Sequence, residues 1–245
     1  MSATVVIPAR LQSSRLPRKI LADIGGKPLI IRLFEAVQKC RLVEQIYFAI
    51  DSEETAAVLE QAGAKFFMTD PALPSGTARI ASLMDRISAK YIVNVQGDMP
   101  TIPLDLLEQI IRELNRDRCD VVTPVWPITE LRDLQDANVV KVVRSREGRA
   151  LYFSRSTIPF VRDLPMDEWL QKTEFWGHFG IYAYRRNLLE DVADGRLPAG
   201  PLEQAEKLEQ LSFLDAGYSI QTIVTEEREI SVNTAEELEQ VRRLF

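Results

Sequence analysis

"TVVIPARLQSSRLPRKILADIGGKPLIIRLFEAVQKCRLVEQIYFAI", residues 4–50, holds the pattern that decides the fold. TVVIP (4–8) is a short, β-branched apolar run and reads as a buried strand. KPLIIRLFEAVQKC (27–40) has apolar residues at helical spacing, and Pro28 suits a helix start. QIYFAI (45–50) is a second buried strand. A strand, a helix and a strand in this order form a right-handed unit with parallel strands.

The rhythm continues outward. Helix EETAAVLEQAG (53–63) closes on Gly63, followed by strand KFFMT (65–69), helix TARIASLMDRIS (77–88) and strand YIVNVQ (91–96). Helix PLDLLEQIIRELNRD (103–117) and strand CDVVTPV (119–125) complete the series. The expectation is an α/β fold with a mostly parallel, Rossmann-like sheet and helices on both faces.

Past residue 126 the pattern changes. VVKVVRS (139–145), RALYFSR (149–155) and FGIYAYR (179–185) read as strands without helices between them, so a mixed or antiparallel addition is expected. Helices return at 201–217 and 234–245, with strand YSIQTIVT (218–225) between. The 245 residues fit a single domain, 1–245, with a mixed-sheet subregion at 126–200. The longest irregular stretch, 158–177, is a candidate flexible or subunit-contact loop.

A formal net charge of −6 argues against a general nucleic-acid binder, which would present a basic surface. No apolar run is long enough to span a bilayer, and the first residues lack the features of a secretory signal. The expectation is a cytoplasmic protein with no membrane partner. Cys40 and Cys119 have no CxxC spacing and His178 is the only histidine, which excludes a disulfide framework or structural zinc site.

Against that acidic background, residues 8–28 carry Arg10, Arg15, Arg18, Lys19 and Lys27 against one acid, Asp23. Open parallel sheets bind ligands at the carboxyl ends of their strands, where this loop sits. Neither GxGxxG nor the Walker pattern is present. Charge pattern alone leaves two readings: a polyphosphate cradle, or a solvated loop paired with surface acids. NVQGDMP (94–100) ends a strand on Gln96, Gly97 and Asp98. A carboxylate there suits Mg²⁺, which takes one or two carboxylates plus phosphate oxygens. The alternative for Asp98 is a turn residue.

PARLQSSRLPRKIL (8–21) resembles the PAR-x-x-S-x-R-x-P-x-K opening of sugar nucleotidyltransferases. Together with MTDPALPSGTAR (68–79), IVNVQGDMP (92–100), ALYFSR (150–155), HFGIYAYR (178–185) and AEKLEQL (205–211), it resembles the 3-deoxy-manno-octulosonate (Kdo) cytidylyltransferase family. The collinear blocks run from residue 5 to about residue 240. The resemblance implies a nucleotidyltransferase-type fold and a reaction in which CTP and Kdo give CMP-Kdo and pyrophosphate with Mg²⁺, the product serving lipopolysaccharide biosynthesis. It places Arg10 and Lys19 on the triphosphate with Ser13 and Arg15 nearby, and Ser75, Gly76, Arg79 and Gln96 around cytidine. Arg10, Lys19 and Asp98 form the expected catalytic set. Arg155, His178, Tyr182, Glu209 and Gln210 form the expected sugar site. Alternation along one strand puts His178, Gly180, Tyr182 and Tyr184 on one face. The resemblance also implies a homodimer, with Trp169, Phe175, Trp176 and the mixed-sheet segment as the expected two-fold interface.

The chain departs from the family pattern at VNTAEELEQV (232–241), where Asn233 replaces an acid that supplies a second carboxylate to the metal. Asn is as good a helix N-cap as Asp, so the fold should accept it. For the metal three outcomes stand open: binding through the triphosphate and Asp98, compensation by a neighbouring acid such as Glu229, or a weak or altered enzyme. Met99 and Ser212 also depart from the pattern and bear on sugar identity. The competing readings are therefore a cytidylyltransferase for a related sugar acid, amino-Kdo or a nonulosonic acid, and a catalytically impaired nucleotide-binding paralogue.

Overall fold

The computed structural model describes residues 2–13, 15–228 and 230–245. Glu229, the proposed compensating acid, lies outside the described residues. Strand β1 (Ala3–Ala9) is entirely buried and lies between β4 (Val43–Ile50) and β6 (Tyr91–Asn94), both parallel to it. Strand β5 (Lys65–Met68) extends this parallel block beyond β4. Helices α1 (Leu29–Val37), α2 (Glu53–Gln61), α3 (Gly76–Ala81) and α4 (Leu104–Leu114) make the crossovers. The small strands β2 (Asp23–Ile24) and β3 (Lys27–Pro28) form a separate hairpin in the loop after β1.

The second half adds to the same sheet. In chain order come β7 (Val121–Pro127), α5 (Leu131–Gln135), β8 (Lys141–Arg144), β9 (Ala150–Ser154), α6 (Trp169–Lys172), β10 (Trp176–His178), β11 (Tyr182–Arg185), α7 (Arg186–Ala193), α8 (Pro201–Glu206), α9 (Gln210–Asp215), β12 (Ile220–Val224) and α10 (Ala235–Arg242). Among the described residues the strand order is β5-β4-β1-β6-β11-β7-β10-β8-β9, with β12 also paired to β7. Strand β11 is antiparallel to both β6 and β7. Strands β8, β9 and β10 are likewise added antiparallel, and β12 returns parallel to β7.

Alternation along β1 sends Val5 and Ile7 to one face and Val6 to the other. The first face packs under α1 and α4 through Leu33, Val37, Leu107 and Ile110; the second under α3, α7 and α9 through Ile80, Leu188 and Leu211. Each such fully buried aliphatic side chain contributes about 1.5–3 kcal/mol. A third, smaller cluster joins Ile24 and Leu29 to Val232, Leu238 and Val241. It draws the start of α10 over the loop after β1, which places Asn233 at the cleft.

Several elements differ from the expected spans. Helix α1 starts at Leu29 because Lys27 and Pro28 pair with β2 and the Leu29 amide donates to Ala22 O at 2.9 Å. The 77–88 helix is α only to Ala81 and continues as tight turns. The 179–185 strand is interrupted: the Ile181 amide turns back on Phe179 O at 2.8 Å, separating β10 from β11. The 201–217 helix breaks at Lys207, whose φ of 54° is left-handed. The 158–177 stretch contains α6, and its Trp169 and Phe175 are buried within the chain, stacked at 6.1 Å. Neither ring is available for the expected two-fold interface; Phe160, at 76% exposure, and Leu151 are the exposed apolar side chains of this region. No helix among the described residues is long and apolar enough to cross a membrane.

Candidate functional site

The carboxyl ends of β1 and β6 and the start of α3 enclose a cleft of about 470 Å³. Pro8, Ala9, Arg10, Gln12, Ser13, Lys19, Gly76, Arg79, Gln96, Gly97 and Asp98 line it. Gly97 is required by close approach: a Cβ there would lie 2.8 Å from Pro8 O and 3.0 Å from Ala9 Cβ. Gly76 packs similarly, with Pro8 Cγ at 3.1 Å from such a Cβ.

The five cations of the loop divide. Arg18 pairs with Glu54 and Lys27 with Glu35 on the surface, so these two follow the solvated reading. Arg10 enters the cleft and donates through Nη2 to Leu73 O. Lys19 Nζ donates to Asp98 Oδ2 at 2.6 Å and to Asn233 Oδ1 at 3.0 Å. Arg15 is exposed, and its Nη2 donates to the same Asn233 oxygen at 3.2 Å. An ammonium thus sits where the carboxylate of Asp98 and the amide oxygen of Asn233 converge. The Val232 amide donates to Asp98 O at 2.9 Å and fixes the two segments together.

Arg79 is fully buried. Its Nη1 donates to Thr69 Oγ1 and its Nη2 lies 3.7 Å from Asp51 Oδ2, while Nε and Nη2 have no hydrogen-bond partner. Burial lowers its pKa, Asp51 opposes that, and the nearby Arg10 adds to it. Two neighbouring guanidinium groups are suited to a polyanion. Asp51 was not among the sequence candidates. Its Oδ1 accepts from the Leu11 amide at 3.0 Å, so it also anchors the basic loop. The available signal was an acid directly after strand QIYFAI.

On the other side of the cleft, antiparallel β11 starts where β6 ends and runs along the first residues of β7. Tyr182 pairs with Asn94, and Gln96 Nε2 donates to Asn94 Oδ1 and Gly180 O, both at 3.4 Å. His178 contacts Phe153 and Tyr182, each with ring centroids 5.2 Å away, and Tyr182 stacks on Tyr184 at 5.7 Å. The three side chains therefore share a face despite the break in the strand. Tyr182 is buried in this stack. His178 Nε2 lies 2.9 Å from Thr123 Oγ1. Thr123 Oγ1 also donates toward Ile181 O at 2.7 Å and Phe179 O at 3.2 Å, so this hydroxyl ties the imidazole to the backbone of the break between β10 and β11. Burial pushes this imidazole down to about 3, so it is neutral near pH 7.

Glu209 Oε1 accepts from Thr77 Oγ1 at 2.8 Å. Burial raises the Glu209 carboxyl above its ordinary value, against the lowering effect of the Ser75 and Thr77 hydroxyls. Its Oε2 and the Nε2 of Gln210, which is 2% exposed, have no partner at hydrogen-bond geometry. Ser75 caps α3 by accepting from the Ala78 amide at 3.1 Å. Arg155 follows β9, and backbone carbonyls hold its guanidinium: Glu206 O at 2.8 Å from Nε and Ala137 O at 3.0 Å from Nη1. Buried Lys141 donates to Asp136 O at 2.8 Å and Val139 O at 2.6 Å, so two cations order the 136–139 turn. Lys141 and Thr77 were not among the sequence candidates; their strand and helix positions read as ordinary core.

A family model described as Cytidylyltransferase matches residues 4–227. The chain belongs to the cytidylyltransferase family. It is 44% identical to the 3-deoxy-manno-octulosonate cytidylyltransferase of Chlorobaculum tepidum, over 100% of this chain and 98% of that one. Identity to the enzyme of the same name from Polynucleobacter asymbioticus is 45%, over 98% and 94%. A solved structure of CMP:2-keto-3-deoxy-manno-octonic acid synthetase complexed with CTP is 36% identical, with a TM-score of 0.92, covering 100% of this chain and 98% of that one. HddC from Yersinia pseudotuberculosis, 17% identical with a TM-score of 0.69 over 99% of both chains, shares the fold.

Proposed function

We propose that this cytidylyltransferase transfers CMP from CTP to the anomeric hydroxyl of Kdo, releasing pyrophosphate. The observation that carries the reading is the cleft in which Arg10, Lys19 and Arg79 gather around Gly76, Gly97 and Asp98, with Glu209 hydrogen-bonded to Thr77 next to Gly76. Full-length relatives and a structural neighbour that bear the name of this activity support it.

In-line displacement at the α-phosphorus needs alignment and charge neutralisation rather than a covalent intermediate. Arg10 and Lys19 neutralise the β- and γ-phosphates, with Ser13 and Arg15 at the rim. Ser75, Gly76, Arg79 and Gln96 hold the nucleotide. On the sugar side Arg155 binds the carboxylate through its guanidinium fork, and Glu209, Gln210 and His178 exchange hydrogen bonds with hydroxyls. Tyr182 backs the His178 ring. Neutral His178 with a pKa near 3 is a hydrogen-bond partner and a poor base, so a proton from the attacking hydroxyl leaves by another route.

The donor set fits Mg²⁺. Two oxygens, Asp98 Oδ2 and Asn233 Oδ1, already converge on a cation. Among the described residues no group of three His, Cys, Asp or Glu side chains would hold a metal alone, which accords with an ion bound largely by substrate phosphates. Asp98 would be its anionic ligand and Asn233 a neutral one. When bound, Mg²⁺ would draw charge from the departing pyrophosphate. The enzyme is read as a cytoplasmic homodimer supplying CMP-Kdo for lipopolysaccharide, with Phe160 and Leu151 as candidate contact side chains. Pyrophosphate release from CTP and Kdo, with and without Mg²⁺, tests the reading. Release with a nonulosonic acid and none with Kdo would overturn the substrate.

A further inference from the structure

Thr77 and Glu209 are 132 positions apart, on the nucleotide side and the sugar side of the cleft, yet they are directly hydrogen-bonded. Thr77 is the second residue of α3 and 2% exposed. Its single hydroxyl proton goes to Glu209 Oε1 at 2.8 Å, because a carboxylate only accepts. Its other contact, Tyr184 Oη at 2.9 Å, must then be an acceptance, so the tyrosine donates to the threonine. Tyr184 is fully buried. The Asn94 side chain lies beside the Tyr184 oxygen, and Gln96 Nε2 reaches Asn94 Oδ1 at 3.4 Å. The donors thus run from Tyr184 through Thr77 to Glu209, while Asn94 Nδ2 has no partner and Gln96 lies on the far side of Asn94.

A packed core gains nothing from such a series: apolar groups of the same shape at every position would be about as stable. A series ending on a carboxylate whose second oxygen makes no hydrogen bond, with the Ser75 hydroxyl also beside the group, has a positional use. On the reading of the site given above, we propose that Thr77 and Tyr184 are positioning residues. They hold Glu209 Oε1 so that Oε2 remains the acceptor for a sugar hydroxyl, and they register the sugar subsite against the α3 segment bearing Ser75, Gly76 and Arg79.

The test uses the full chain with Thr77→Val, Tyr184→Phe, Glu209→Gln and the Thr77→Val/Glu209→Gln double variant. Steady-state pyrophosphate release is measured against Kdo and CTP separately, and CTP binding without Kdo by calorimetry. Loss of a hydrogen bond to a charged group corresponds to about tenfold to a hundredfold. Thr77→Val should raise KM for Kdo by about that factor, with calorimetric CTP affinity within about threefold of wild type. Tyr184→Phe should act in the same direction and less strongly. The double variant should be no worse than Glu209→Gln, because both changes disable one group. If Thr77→Val does not fold, Thr77→Ser keeps the hydroxyl and should keep KM for Kdo even if it melts earlier, and Tyr184→Phe carries the test. Unchanged KM for Kdo in the hydroxyl-deletion variants, or fully additive losses in the double variant, overturns the inference while leaving the function intact. Absence of turnover by the wild-type protein overturns the functional reading and the inference with it.

Discussion

Replacing Asn233 with aspartate puts a second anion beside the cation point at Asp98. In this structure Lys19 Nζ lies 2.6 Å from Asp98 Oδ2 and 3.0 Å from Asn233 Oδ1, so both oxygens already reach a single cation. A unit charge pair at about 4 Å is worth about 4 kcal/mol at an effective dielectric constant of about 20. The site is partly open, with 22% exposure at the Asp98 side chain, and Lys19 and Arg15 compete for the new carboxylate. Screening and competition remove roughly half, leaving about 1.4–3 kcal/mol in favour of the metal, or about 10–100-fold. The assay is the Mg²⁺ concentration giving half-maximal pyrophosphate release at saturating CTP and Kdo. It is paired with Mn²⁺ binding in the presence of CTP, followed by paramagnetic resonance. Asn233→Asp should lower both constants at least about tenfold. Unchanged constants would refute the placement of residue 233 at the metal. They would also show that Asp98 and the triphosphate suffice.

Asp51→Asn should keep an oxygen for the Leu11 amide but remove the nearest anion from buried Arg79, raising KM for CTP about tenfold or more and lowering Tm; CTP titrations and thermal melts check both. Gly97→Ala forces a Cβ against Pro8 O at 2.8 Å, and should cost about 1–3 kcal/mol in urea unfolding and reduce turnover by shifting Asp98. Burial holds His178 near 3 while the unfolded side chain titrates near 6.5. The unfolded state therefore binds the extra proton between those values, and this contribution to stability rises with pH up to about 6.5 and is constant above. His178→Gln should shrink the stability gain between pH 4.5 and pH 7.5 by about 2 kcal/mol in urea melts. The pH profile of kcat/KM for Kdo should show no His178 inflection between pH 6 and 7.

How much was legible beforehand follows from which interactions are local. The strands of the parallel block, β1, β4, β5 and β6, carry their own pattern of buried residues, so their existence was readable within one or two residues. Breaks set by single backbone conformations were not: Lys207 at φ 54° and the Phe179–Ile181 turn leave no trace in periodicity. That Arg10, Lys19 and Asp98 would line one cleft was readable because they are concentrated in two short loops at strand ends. Asp51, Thr77 and Lys141 were not, because each acts through a partner fixed only by tertiary packing. The loop charge count could not separate Lys19 from Arg18; Glu54, 36 positions away, decides that Arg18 belongs to the surface.

The antiparallel strand explains why groups from the two halves of the chain meet at one edge. In a purely parallel sheet every strand delivers its carboxyl end to the ligand edge, so the residues before a strand lie at the opposite end. Inserting β11 antiparallel between β6 and β7 reverses this for one segment, and residues 178–181 arrive at the edge where Gln96 and Asp98 emerge. The 3.4 Å approach of Gln96 to Gly180 O marks the junction. In one continuous sheet Gln96 and Asp98 follow the end of β6, His178 ends β10 and Tyr182 begins β11. A shift of β11 by one residue against β6 would turn Tyr182 to the opposite face and away from the His178 ring. The Tyr182–Asn94 pairing is thus the structural element that brings the β10–β11 connection to the cleft edge at Gln96.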